Sequence, residues 1–413
     1  MTGRERIAKV LRFEKPDRTP IDLGGMRSTG IHAFALRELR RQLGLDPDAV
    51  KVYDVGQFLG WPDAAVRERF HVDVVALEPP SRNADNDAWR RWSPRRGLSF
   101  LVPDDFKPEK EPGGSWVLRD AAGRVTNRMP GEGFYFDGTG DPMAVYETPS
   151  VADYKPASTY TDEFLDGLRA RADWLWRNTD CAILGSFFGG SMFNLNVGGM
   201  VNWMEMLVAE PERAREYVEK ACDAMIARAR LVHEAVGGKV FALVIGDDMG
   251  TQRGEWYSVK TFREVNAPGY KRFCEWVHAN TEFKVFLHCC GSVYNYMEHF
   301  VDCGIDIFNP VQTSAANMDP SRLAREFGGR IVFWGGGCDT QQVLPFGTPD
   351  EVRAHVRERM AIFQPTRGFV FNQVHNVQAG VPVENVIAML DAAIEYGEGR
   401  ELKTRSRERD SEY

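Results

Sequence analysis

The sequence predicts a (β/α)8 barrel, on three observations. Eight short apolar or β-branched runs recur along the chain. Amphipathic helical patterns lie between most of them. The length, 413 residues, accommodates eight such units plus an insertion. Strand–helix alternation implies a parallel sheet, and eight repeats favour a closed ring over its rival, an open doubly wound sheet.

Taken in order, the strand runs are residues 20–23, 72–77, 182–187, 240–245, 284–287, 305–308, 331–334 and 368–371. Helical patterns cover 161–178, 211–236, 259–280, 294–303, 321–327 and 349–363. Thr2 with Glu5 has the spacing of a capping box opening an N-terminal helix. Thr348, Pro349 and Glu351 mark the start of another. Residues 81–141 break the rhythm. Trp89, Trp92, Trp116, the turn at 120–123 and the stretch 131–136 predict short antiparallel strands, a β-rich insertion on a barrel loop. Such an insertion either shapes a pocket or supports self-association as a homodimer. The reading is one barrel domain over 1–400 with a polar tail at 401–413.

Composition excludes several classes of function. The net charge of −8 and pI of about 5.6 provide no general attraction for nucleic acid or anionic lipid. No apolar run approaches the roughly 18 residues of a membrane span. The first residues alternate charged and apolar side chains and lack the apolar core of a signal peptide. Seven scattered cysteines, an odd number, point to free thiols in a reducing compartment and a cytoplasmic location.

In such a barrel the chemistry sits where strands end. The residues following the predicted strands are unusually polar. They include Arg27 and His32, Ser186 to Phe188, Asp247 and Asp248, His288 to Ser292, Asn309 and Gln312, Cys338 and Asp339, and Asn372 to Asn376. His288-x-Cys290 is the sharpest element. Imidazole nitrogen and thiolate sulfur both suit zinc, and residues two apart on a strand share a face. A third ligand must come from elsewhere, from His375 or Cys338. Cys289, between them, faces the other way into the core. Asp247 and Asp248 are a carboxylate pair suited to acid–base work or to holding substrate. Phe187, Phe188 and Trp334 are candidate apolar walls for a substrate. Asn309, Gln312 and Asn376 are candidate hydrogen-bonding groups, with Arg27, His32 and Asp339 as further contacts. Gly335–Gly337 is not a dinucleotide fingerprint, and there is no P-loop, H-E-x-x-H or G-x-S-x-G.

These residues resemble the uroporphyrinogen decarboxylase superfamily, and within it the corrinoid-dependent methyltransferase branch. The resemblance runs from Arg4-Glu5-Arg6 and Lys15-Pro16-Asp17-Arg18-Thr19-Pro20, through residues 246–252 and 288–292, to Asn309-Pro310-Val311-Gln312, 333–341, 344–349 and 374–378. For the decarboxylase proper it implies an M-R-Q-A-G-R element with two substrate-binding arginines. Here that stretch keeps Arg27 but has Ile31 at the second arginine position. For the methyltransferase branch it implies zinc on His288, Cys290 and a late third ligand. That ligand is usually a cysteine; here the matching position is His375, with Cys338 as the fallback. Aryl methyl ether O-demethylases look closest. None of the eight histidines lies in a D-x-H-x-x-G corrinoid motif, so a cobalamin-type cofactor would arrive on a partner protein. Three readings follow: a zinc methyltransferase acting with a corrinoid protein on a small methylated substrate, a metal-free decarboxylase of a polycarboxylate, and a non-catalytic small-molecule binder.

Overall fold

A computed structural model describes residues 1–82, 88–157, 159–193 and 195–398. The tail expected at 401–413 lies outside them. Seven parallel strands pair in chain order: β1 Val74–Leu77, β2 Ala182–Gly190, β3 Val240–Gly246, β4 Lys284–His288, β5 Ile307–Asn309, β6 Val332–Trp334 and β7 Phe369–Val370. The segment predicted at 20–23 closes the ring through one residue. Ile21 bridges Val72 on one side and Phe371 on the other. The Asp22 amide donates to the Phe371 carbonyl at 2.9 Å, and the Asp73 amide to the Ile21 carbonyl at 2.8 Å. The sheet is therefore a closed (β/α)8 barrel.

Alternation along the strands divides two cores. Val74, Ala182, Leu184, Ala242, Val244, Phe286, Ile307, Val332, Trp334 and Val370 fill the interior. Helix α1, Gly3–Val10, packs Ile7 and Val10 against them across the N-terminal end of the ring. Intervening residues such as Val75, Ile183, Leu243, Val285, Phe308 and Phe333 face outward. They pack under the surrounding helices: α2 Ala33–Gln42, α3 Ala64–Arg69, α4 Asp162–Asn178, α5 Met200–Ala209, α6 Pro211–Val236, α7 Ala267–Asn280, α8 Met297–Cys303, α9 Pro320–Phe327, α10 Pro349–Phe363 and α11 Val383–Gly397. Both expected capping boxes form, at Thr2 with Glu5 and at Thr348 with Glu351. The helix expected over 259–280 is interrupted. A π turn at Phe262–Asn266 precedes α7, whose second residue, Pro268, has no amide to donate into a regular ladder.

Below the barrel, Arg6 reaches both Asp17 and Asp73, and Arg18 also reaches Asp73. The insertion follows β1. Trp89–Trp92 pairs with Phe100–Pro103, and four more short strands form a second antiparallel sheet ordered Asp137–Gly138, Val125–Met129, Trp116–Arg119, Glu109–Lys110. Trp92, Phe106, Trp116 and Phe136 make its aromatic centre. All seven cysteines are free thiols. Among the described residues no helix is long and apolar enough to cross a membrane.

Candidate metal centre at the barrel mouth

Strand alternation carries directly into the site. On β4, Phe286 points inward, so His288 does too, and Cys290 follows two residues later. Val285, Leu287 and Cys289 belong to the outer core. His375 enters from the loop after β7 with a positive φ of 63°, a backbone turn that aims its ring back at the mouth. One donor atom from each of His288, Cys290 and His375 falls within 4.8 Å of the other two. His288 Nε2 is 3.4 Å from Cys290 Sγ, and the two imidazole centroids are 5.3 Å apart.

The tautomer of His288 follows from its neighbour. Asn309 Nδ2 donates to the Trp334 carbonyl at 2.7 Å, which orients the amide so that Oδ1 meets His288 Nδ1 at 2.6 Å. Nδ1 therefore carries the proton, and the Nε2 lone pair faces Cys290. Burial pushes the His288 imidazole below its ordinary range and His375 down to about 4, so both are neutral near pH 7. Burial, reinforced by Asp248, pushes the Cys290 thiol up. Two neutral imidazoles and one thiol that ionises only with a counter-charge are a donor set that fits zinc.

The loop bearing Cys290 is held closely. The Cys290 amide donates to Asp248 Oδ1 at 2.9 Å, and the Gly291 amide to Gln312 Oε1 at 2.8 Å. Gly291 has φ +90°, and a Cβ there would lie 2.3 Å from the Gly250 carbonyl carbon, so only glycine serves.

The carboxylate pair divides by the same alternation. Asp247 turns outward and is fully buried, accepting from the Ser191 and Tyr270 hydroxyls and the Met192 and Phe193 amides. It anchors the loop after β2. Asp248 faces the mouth, half exposed, with Oδ1 3.8 Å from His288 Nε2.

The other expected contacts divide as well. Phe187 stands beside His288 at 5.8 Å between rings. Its φ of 48° and a shift in strand register turn it inward and send Phe188 outward, against Tyr160 and Phe164. Trp334 is not a wall of the mouth. It lies in the interior core, its Nε1 donating to Asp22 at 2.7 Å. Asn309 and Gln312 are occupied in orienting His288 and Gly291. Asn376 holds the Gly30 amide at 2.7 Å and Gln57 at 2.9 Å. Asp339 caps its own loop through the Gln341 amide. Cys338 is fully buried in the outer core, outside the trio, because its strand-end position faces the helices. Arg27 reaches Glu78 rather than the trio.

His32 also lies away from the trio. It is the N-cap of α2, its Nδ1 accepting from the Phe34 amide at 3.2 Å and its Nε2 donating to the Phe134 carbonyl at 3.2 Å, which pins the insertion to the barrel. Burial pushes its imidazole down to about 4. The unfolded chain takes up that proton first, so the stability contribution is complete above pH 6.5 and lost as pH falls toward 4, up to about 3 kcal/mol. Urea midpoints of wild type and His32→Gln at pH 7 and pH 4.5 check this. Parallel losses in both proteins would contradict it.

Sequence reading missed Glu78 and Tyr53, and placed Ser186 at a strand end without giving it a role. Glu78 was within reach: it directly follows β1, at the one strand end from which no candidate is drawn above.

Residues 190–396, half of the chain, match the family model described as Uroporphyrinogen decarboxylase (URO-D), a span that includes all three trio residues. A methylated-thiol–coenzyme M methyltransferase of Methanosarcina mazei is 25% identical over 200 residues, 48% of this chain and 49% of that protein. A uroporphyrinogen decarboxylase of Anaeromyxobacter dehalogenans is 25% identical over 244 residues, 56% of this chain and 63% of that protein. The chain thus spans about half to under two thirds of the curated relatives it matches. A solved methyltransferase from Methanosarcina mazei superposes with a TM-score of 0.58 at 17% identity, over 96% of this chain and 99% of that one, and so shares its fold.

Proposed function

Because the chain belongs to the uroporphyrinogen decarboxylase family, we propose that it is a methyltransferase with zinc on His288, Cys290 and His375. It moves a methyl group between a small methylated substrate, such as an aryl methyl ether, and a corrinoid carried by a separate protein. The observation that carries this reading is the trio itself: three soft or borderline donors within 4.8 Å, with the His288 lone pair turned inward by Asn309. The matched methyltransferase from Methanosarcina mazei agrees with it.

Zinc held there would supply a Lewis acid for the heteroatom that loses its methyl group. The carbon–heteroatom bond would break with its electron pair left on the heteroatom, and a reduced corrinoid on the partner protein would supply the electron pair that takes up the methyl carbon. The chain's own residues supply the setting. Asp248, exposed at the mouth and 3.8 Å from His288 Nε2, would accept a hydrogen bond from a donor on the substrate, and solvent would supply the proton that the leaving heteroatom takes up. Phe187 gives the methyl-bearing end an apolar wall.

The decarboxylase reading asks for cations that are not offered. Arg27 is bonded to Glu78, and Ile31, at the second arginine position, is fully buried opposite Gly60. The test is metal content together with methyl transfer to an added corrinoid protein. One zinc per chain is expected in wild type and none in His288→Ala, with transfer lost in parallel. A well-folded, zinc-supplied wild type that retains no metal would overturn the reading.

A further inference from the structure

A second polar group lines the same mouth. Strand alternation places Glu78 above Val74 and Ala76, and Ser186 above Ala182 and Leu184, so both point into the barrel at its C-terminal end. Tyr53 and Asp54 approach from Val52–Asp54, and Arg27 from the loop after Ile21. The group adjoins the trio from both sides. Asn376, next to His375, donates to Gln57 at 2.9 Å, and Gln57 in turn meets Asp54 at 3.5 Å. Ser186 immediately precedes Phe187, which packs on His288.

These side chains are incompletely paired. Arg27 directs both Nε and Nη2 at one oxygen of Glu78, at 3.0 and 2.7 Å, instead of forking across the carboxylate. Glu78 Oε1, Ser186 Oγ and Tyr53 Oη are all buried without a hydrogen-bond partner. Burial pushes the Glu78 carboxyl above its ordinary range, Arg27 and the nearby Ser186 offsetting only part of this, and Ser186 Oγ makes no hydrogen bond of normal geometry. Six buried side-chain atoms among the described residues lack partners, and three fall in this one cluster. Buried polar atoms are nearly always satisfied, so the clustering marks a place where something else supplies the bonds.

We propose that Glu78, Ser186 and Tyr53 form a subsite for a hydrogen-bond-donating end of the substrate, a hydroxyl or an ammonium, and that it rejects substrates carrying a carboxylate there. The free Glu78 oxygen only accepts while the group is ionised, and the two hydroxyls adapt to either role. Charge points the same way: one guanidinium faces two carboxylates, Glu78 and Asp54, the latter 3.8 Å from Arg27 Nε. A third carboxylate would meet a net negative surface. The identity of the occupant as the substrate's far end rests on the methyltransferase reading.

The test is calorimetric binding of three matched probes to the zinc-loaded full chain: 3-hydroxybenzyl alcohol, 3-hydroxybenzylamine and 3-hydroxybenzoate. The alcohol and the amine are expected to bind at least tenfold tighter than the benzoate, since a site built for donors discriminates strongly. Glu78→Gln is expected to compress that ratio below threefold. Ser186→Ala, a milder change that leaves the Arg27 pair intact, is expected to weaken the alcohol severalfold. Equal binding of the three, tighter binding of the benzoate, or binding of none by folded wild type overturns the proposal. Because binding is read without methyl transfer, a chain that prefers the donors yet transfers no methyl group would sink the functional reading and leave the subsite standing.

Discussion

Asp247→Ala is expected to lower the unfolding free energy by about 3–5 kcal/mol, the largest loss for any single polar residue of the strand ends. The carboxylate is fully buried and accepts two backbone amides, at 3.0 and 2.9 Å, and two hydroxyls. Truncation strands four donors, three of them buried away from water at about 1–3 kcal/mol each, with relaxation recovering part of the sum. Tyr270 belongs to α7 and Met192 to the loop after β2, so the variant loosens a helix and a loop together. Asp247→Asn keeps the volume but turns an amide N–H toward existing donors, and should recover less than half. Chemical unfolding read by tryptophan fluorescence is the measurement. A cost below about 1 kcal/mol for the alanine variant would mean the buried carboxylate does not organise this side of the barrel.

Asn309→Ala is expected to weaken zinc binding by about 10- to 100-fold, the usual size of an effect from a residue that orients a histidine ligand. Losing Oδ1 frees the His288 ring to rotate and to place its proton on Nε2, the atom facing Cys290. Asn309→Asp retains an acceptor for Nδ1–H and should keep affinity nearer wild type, although it sacrifices the bond to the Trp334 carbonyl. Competition with a colorimetric chelator distinguishes the two variants. Wild-type affinity in Asn309→Ala would show that packing alone holds the ring.

Much of this architecture could be read from residue patterns, for identifiable reasons. The eight strand runs are short, apolar and separated by periodic helices, so their positions needed no tertiary information. The pairing of His288 with Cys290 needed only the two-residue repeat of a strand. Other assignments depended on knowing a strand's last residue and what the backbone does next. Asp247 and Asp248 look alike in sequence, yet one extra step along β3 sends the first under α7 and the second to the mouth. Phe187 and Phe188 exchange the faces simple alternation would assign, because φ turns positive at Phe187. His32, Asn309 and Asn376 are polar at strand ends, as substrate contacts would be, but their hydrogen bonds are spent on the scaffold. Only three-dimensional neighbours reveal that.

The closure at Ile21 has a consequence for how the barrel opens. Every other junction in the ring is a ladder of two or more paired residues, whereas this seam hangs on one residue with a bridge to either side. The least costly local opening therefore runs down this line, and the amides of Asp22, Asp73 and Phe371 should exchange with solvent deuterium ahead of those in β3 and β4. Besides the burial of Ile21, the Arg6–Asp73–Arg18 cluster restrains the seam at its base. Its members are mostly shielded from bulk ions, so added salt should accelerate that exchange only weakly.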